Sequence, residues 1–423
     1  MPLFGGAVLL LAIVRPGVGR GSGGALDWAL AVCLLAIAVQ LIPLQPSLRD
    51  RLSPHGFPVD RITALTVEPP IHPPHPLSVD VESTAWALGL GAAYILVFWC
   101  ARAIFQRGGV RTTVRAVAAL GLALTALVAV QRATSPSLLY WTWKPLNAGA
   151  SPYGPFVNRN DLACWLAMAV PLVVGFAMAR YRSHQHAGHA SDGALDPTQL
   201  WLGASAMLMT GGLLASMSRA GILGGGIGLI AFVALSWTRL RGDRGRTWLV
   251  VGIAAMVAAA SAYANLGGLA MRLQETTEQG AWGRPAIWRD TWRMVSDFWL
   301  TGVGAGAFQR GMLAYQEGSR LFFFNHAHDE YLQLLAEDGL LFAVPAAIAI
   351  GAAVVIAAKH LGADRSAIFW VRAGAIGGSI AVAVQSIWDT GLRVPANAVL
   401  FAVIAAIALH PPRHSTERGG TSA

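Results

Sequence analysis

The chain of 423 residues is 55% hydrophobic and 13% charged, with a formal net charge of +9. At a mean hydropathy of +0.51 it has too few polar residues to clothe a soluble fold, so a polytopic membrane protein follows. The positive balance comes from arginines placed between apolar runs; it reads as a topology signal and sets nucleic-acid binding aside.

Runs of about 17 to 22 apolar residues suffice to cross a hydrocarbon core of about 30 Å. Such runs fall near 25–44, 84–105, 113–131, 161–180, 200–218, 220–237, 247–266, 338–358, 367–388 and 395–410. The opening run, Leu3 to Val14, is short and is counted as an eleventh. Backbone polar groups in lipid must be satisfied within their own segment, which favours helices throughout. The expected fold is therefore all-α: a polytopic transmembrane helical bundle of about 10–12 spans, with a large external loop containing short helices. The expected division is 1–266 for the N-terminal transmembrane helices, 267–337 for the loop, 338–410 for the C-terminal transmembrane helices and 411–423 for a cytoplasmic tail.

Arginine and lysine orient the spans, because short basic loops stay in the cytoplasm. Arg102, Arg107, Arg111 and Arg115 mark one such loop, and Arg180 with Arg182 a second. Arg239, Arg241, Arg244 and Arg246 mark a third, and Lys359 with Arg365 a fourth. Left outside are Gln45 to Ser83, Gln131 to Asn160 and Gly267 to Glu337, so any chemistry there is extracytoplasmic. The first of these contains PPIHPPHP, Pro69 to Pro76, which cannot form a regular helix. Its His72 and His75 lack a third ligand of suitable spacing and read as a solvated loop. Ser183 to Pro197 reads as a cytoplasmic connector. Gly224, Gly225, Gly226 and Gly228 lie inside an apolar span and mark close helix packing, not a phosphate loop. Cys33, Cys100 and Cys164 sit in or at the ends of spans and read as small apolar residues.

Candidate chemistry lies where polar residues meet the outer ends of spans. SMSRAG, Ser216 to Gly221, places Arg219 at an outer interface, where arginine is disfavoured unless it has a task. In WGRPAIWRDTW, Arg284 opens an amphipathic run with Trp288 and Trp292 at i, i+4 spacing, and it equally suits anchoring that helix. Guanidinium groups match phosphate oxygens through paired planar hydrogen bonds. NHAHDEYLQLLAEDG, Asn325 to Gly339, holds two histidines and four carboxylates at the head of an apolar helix. His328 is the natural general base, since a neutral imidazole near pH 7 accepts a proton from a hydroxyl. His326 is a candidate for orienting substrate, and Asp329 and Glu337 for binding it. Glu337 and Asp338 also suit a solvated helix N-terminus. Asn158, Arg159 and Asn160, on the loop before a span, suit binding of sugar or phosphate and equally suit capping.

Five separated segments between Gly154 and Phe401 resemble the O-antigen ligase and polymerase superfamily of bacterial envelope glycosyltransferases. GPFVNRNDLACWLAMAVPL is similar to its Asn-x-Asn segment, and SMSRAG to its Ser-Arg-Gly turn with Ala220 inserted. The stretch from Gly283 to Phe308 resembles its Gly-Arg, Ile-Trp and Gly-x-Gly-x-Gly-x-Phe loop. HAHDEYLQLLAEDG resembles its histidine segment, with the essential histidine on His328 and Asp329 where many relatives have Asn. QSIWDTGLRVPANAVLF, from Gln385, resembles a segment that often begins with His, and adds Asp389 to the candidates. The resemblance implies transfer of a glycan from a polyprenyl diphosphate carrier to a lipid or saccharide acceptor on the periplasmic face of the inner membrane. It implies no cofactor, no metal and no nucleotide sugar. Within it, a ligase acting on lipid A-core and a polymerase extending the lipid-linked glycan share Arg219, Arg284 and His328. A lipid-linked glycan transporter is the alternative of another class; it would call for charged groups at mid-membrane or inverted repeats.

Overall fold

Apolar runs become helices throughout the computed structural model, which describes residues 2–16, 24–63, 74–145, 152–186, 197–240, 284–317 and 323–412. The described residues form fourteen α-helices and no strand. Six helices are long and apolar enough to cross a membrane. These are α5 (Val81–Gln106), α6 (Val110–Thr134), α7 (Arg159–His186), α9 (Arg219–Ser236), α12 (Glu330–Ala363) and α13 (Ile368–Gln385). The expected runs at 25–44 and 395–410 are the shorter helices α2 (Gly24–Val39) and α14 (Pro395–Ala408), and the opening run is α1 (Pro2–Val14). The run at 200–218 is α8 (Pro197–Ala215). The run at 247–266 lies outside the described residues, as do His72, Arg241, Arg244, Arg246 and Gly283.

The chain divides into two compact units: Met1–Val97 with Asn265–Val354 and Ser386–Thr390, and Phe98–Ala264 with Val355–Gln385 and Gly391–Ala423.

In the second unit α7 is the hub, with Leu162, Ala163, Cys164, Leu166, Ala167 and Met168 fully buried. Glycines bring its neighbours to backbone contact: a Cβ on Gly374 or Gly378 would collide with the carbonyl oxygens of Pro171 or Met168, and one on Gly228 would stand 2.5 Å from that of Gly377. Close packing was the expectation for the glycines of α9. It holds for Gly224, Gly225 and Gly228, whereas Gly226 meets nothing within 4 Å. The register is readable from these pairs. Gly221 meets Ala163 and Gly225 meets Ala167, so α7 and α9 run parallel; Gly224 meets Ala381 and Gly228 meets Gly377, so α13 runs against them. The N-termini of α7 and α9 therefore share one end with the C-terminus of α13, where Gln385 Nε2 donates to Asn160 O at 3.2 Å.

The other end of this unit carries a linked set of arginines. Arg182 donates to Arg239 O at 3.0 Å, Arg239 donates to Asp364 O at 2.6 Å, and Arg372 pairs with Asp364.

The first unit has a core unlike a lipid-facing bundle. Short helices α3 (Pro46–Leu52), α4 (Gly56–Thr63), α10 (Arg284–Asp297) and α11 (Phe308–Tyr315) belong to it. Val59, Ile287, Met294, Val295, Phe298, Phe308, Met312 and Leu332 form one buried cluster there. In α10 the buried positions Ile287, Asp290, Thr291, Met294 and Val295 recur at helical spacing. Arg49 fastens α3, donating to Asp60 at 2.6 Å and to Pro76 O at 2.8 Å. His75 pairs with Leu44 through the backbone and stands 3.7 Å from Asp60.

Candidate active site around His328

His328 stands at the head of α12, in a segment whose backbone is held from three directions. The Ala327 N–H donates to Gln333 Oε1 at 2.9 Å, and the Ala327 carbonyl accepts from Trp288 Nε1 at 2.9 Å. Glu330 N, two residues after the histidine, donates to Ser386 O at 2.9 Å. Asp329 caps the new helix, accepting from Leu332 N at 3.0 Å. With its neighbours pinned, His328 occupies the left-handed region at φ +54°, where a side chain other than glycine is strained.

Gln333 is the organiser. It is fully buried, and its amide nitrogen donates to Glu337 Oε1 at 3.1 Å and lies 3.2 Å from His326 Nδ1. One side chain thus holds the backbone before His328, the ring of His326 and the Glu337 carboxylate. Glu337 and Asp338 are only 2% and 3% exposed, so neither is the solvated helix-start residue that the sequence also allowed.

The sequence 298–306 forms the seat beneath this segment. Gly302, Gly304 and Gly306 have φ of +65°, +115° and +74°, and the turn they make lies against the Glu337–Gly339 backbone. Val303 N donates to Ala336 O at 3.0 Å and Gly304 N to Glu337 O at 2.8 Å. Gln40, at the end of α2, locks the same place: its amide donates to Thr301 O at 2.8 Å and accepts from Ala305 N at 3.0 Å. α12 itself breaks at Gly339, φ +58° and ψ −163°, one residue past the start of the span expected at 338–358. There Leu340 N and Leu341 N donate at 2.9 Å to the carbonyls of Trp299 and Leu300, so the head of the span is capped by backbone.

Arg284 is the first residue of α10, one turn before Trp288, and is exposed. Burial holds the His328 imidazole below its ordinary pKa, and the Arg284 cation lowers it further, while Asp389 pulls the other way. His328, Arg284 and Asp389 are thus one electrostatic group. Asp389, 3% exposed, accepts from Thr390 N at 3.0 Å within the Ser386–Thr390 segment.

The remaining candidates lie in the second unit, at the shared end of α7 and α9. Arg219 is exposed at the first position of α9, whose cap Ser218 accepts from Gly221 N at 3.2 Å. Asn158 accepts from Asn160 N at 3.0 Å and so caps α7; Arg159 and Asn160 open that helix and are half-buried. Sequence reasoning gave no role to Gln333 or Gln40, and it read Trp288 only as part of an amphipathic run. The available signal for Gln40 was a polar residue inside the apolar run at 25–44.

Fold and site together define an all-α polytopic membrane protein with a polar histidine site built at the head of one span. Residues 204–347 match the family model described as O-Antigen ligase, which supports the O-antigen ligase superfamily. The match takes in Arg219, Arg284, His328, the Gly302–Gly306 turn and Glu337–Gly339. That family suggests a glycosyltransferase-like enzyme acting on lipid-linked glycans in general. No curated protein matches the chain.

Proposed function

We propose that the protein moves a glycan from a polyprenyl diphosphate carrier to an acceptor hydroxyl, lipid A-core or similar, at the periplasmic face of the bacterial inner membrane. The observation that supports this most is the state of His328: an imidazole biased towards its neutral form, fixed in a strained backbone, with the Arg284 cation beside it. A neutral imidazole accepts the acceptor's proton as the hydroxyl oxygen attacks the anomeric carbon. The bond from that carbon to the diphosphate oxygen breaks, its electron pair stays with the diphosphate, and Arg284 meets the growing charge. Direct displacement inverts the configuration at the sugar carbon. Arg219 enters from its sequence motif as the second diphosphate ligand. No step calls for a metal.

Turnover of a defined lipid-linked glycan by the purified protein tests the scheme. His328→Ala is expected to lose about 10²- to 10⁴-fold in turnover, and Arg284→Ala and Arg219→Ala each about 10²- to 10³-fold. Near-normal turnover in a folded His328→Ala protein removes the base assignment, and unchanged activity in either arginine variant removes that residue. In a deletion strain, long glycans left on the carrier support a ligase, whereas single repeat units reassign the protein as a polymerase.

A further inference from the structure

In the second unit, at the end away from Asn160 and Arg219, three helix ends line a half-open cavity of about 250 Å³. The start of α6 contributes Arg111, the end of α7 contributes Phe176, Ala179, Arg180 and His184, and the start of α13 contributes Val371. Phe176, Ala179 and Val371 are 2%, 6% and 3% exposed, so the floor is apolar and part of the helix packing. Two arginines stand over that floor. Three further arginines at this end pack within the protein: Arg182 lies over the Trp370 ring, Arg239 over Phe369, and Arg372 pairs with Asp364.

We infer that this cavity binds the phosphate of an anionic phospholipid from the cytoplasmic leaflet. Paired guanidinium groups recognise phosphate oxygens, and the N-termini of α6 and α13 bring partial positive charge that offsets the partial negative C-terminus of α7 at the same place. A free anion would have no use for the apolar floor, and a hydrocarbon chain none for the arginines. A phospholipid presents both groups in that order. The volume also discriminates, being below the roughly 300–1,000 Å³ of sites that enclose a drug-sized molecule, so it suits a headgroup phosphate with its first carbons, not a nucleotide sugar. The positive-inside rule puts this end in the cytoplasm, on the leaflet whose anionic lipids basic pockets between spans recognise. The inference is independent of the transfer reaction.

Native mass spectrometry of the delipidated full chain, titrated with phosphatidylglycerol or phosphatidylcholine, tests it. The protein is expected to retain phosphatidylglycerol in preference to phosphatidylcholine. Arg111→Gln with Arg180→Gln is expected to weaken that retention about 30-fold, while Arg107→Gln with Arg115→Gln, at the same end but outside the cavity, leaves it within about threefold. Ala179→Phe, which fills the cavity and keeps both arginines, is expected to lose the lipid as well, and it decides the matter alone if the double variant fails to fold. Equal retention of the two lipids, wild-type retention in a folded Ala179→Phe protein, or displacement by millimolar inorganic phosphate overturns the inference.

Discussion

Replacing Gln333 by leucine keeps the side-chain volume and removes every hydrogen bond that positions the His328 segment from below. Ala327 N–H loses its acceptor at 2.9 Å and Glu337 its donor at 3.1 Å, both in the buried core. An orphaned buried polar group costs about 1–3 kcal/mol, which falls on the Ala327 N–H; Glu337 keeps a further interaction, and His326, half-exposed, recovers a partner from water. That penalty is of the same size as the strain stored at His328, about 1–3 kcal/mol for a left-handed residue other than glycine. Releasing the strain therefore becomes the favourable response, and the working conformation falls in population by about 5- to 150-fold. The expected readout is a drop of that size in kcat for glycan transfer with donor KM little changed, because the arginines are untouched. Gln333→Glu, which restores an acceptor for Ala327 N–H but sets a carboxylate against Glu337, should not rescue it. Wild-type kcat in a folded Gln333→Leu protein, or a loss confined to KM, refutes the reasoning.

The pH profile of kcat/KM should show an acid limb below the ordinary imidazole value of about 6.5, because the folded protein holds the His328 pKa down. Asp389→Asn removes the influence that raises it and should move the limb to lower pH; Arg284→Gln should move it higher, and limbs that stay in place contradict the coupling. By linkage, a depressed imidazole favours the folded state fully above about pH 6.5, and that contribution is lost as pH falls through the folded pKa, to be seen as a lower melting temperature. Gly302→Ala should destabilise by more than the roughly 1–2 kcal/mol of a left-handed alanine, since its Cβ would also collide with the Glu337 carbonyl; an unchanged melting curve speaks against the docked turn. Asp329→Asn should melt within a few tenths of a kcal/mol of the parent, and Asp329→Ala about 1 kcal/mol lower, because asparagine and aspartate cap helices equally well.

How much of this was legible in the sequence depended on whether the determinant was local. The runs that became α5, α6, α7, α9 and α13 were legible because length and apolarity suffice to call a helix. The seam of α7, α9 and α13 was half legible: four glycines announced close packing, but only the paired helices show that Gly226 faces away. Glu337 and Asp338 misled because carboxylates at a span entrance look solvated, whereas a turn from far upstream buries them. His328 and Arg284 were singled out separately by residue type. Their electrostatic coupling depends on α10 docking through Trp288, a contact 39 residues long in sequence that no periodicity reports. The departure from the family at Asp329 has a simple physical reading, since the cap needs an acceptor and either residue supplies one.

The break at Gly339 also bears on how the protein is made. Leu340 to Ala363 is a complete span without the preceding turn, rising about 36 Å at 1.5 Å per residue against a core of about 30 Å. It can enter the bilayer while residues 284–338 are still unarranged, and the seat of glycines closes onto it afterwards. Insertion of the span and assembly of the His328 end become separable events during biogenesis. A lesion such as Gly302→Ala then leaves a protein with its spans inserted and its His328 end unbuilt, a product for quality-control proteases to recognise.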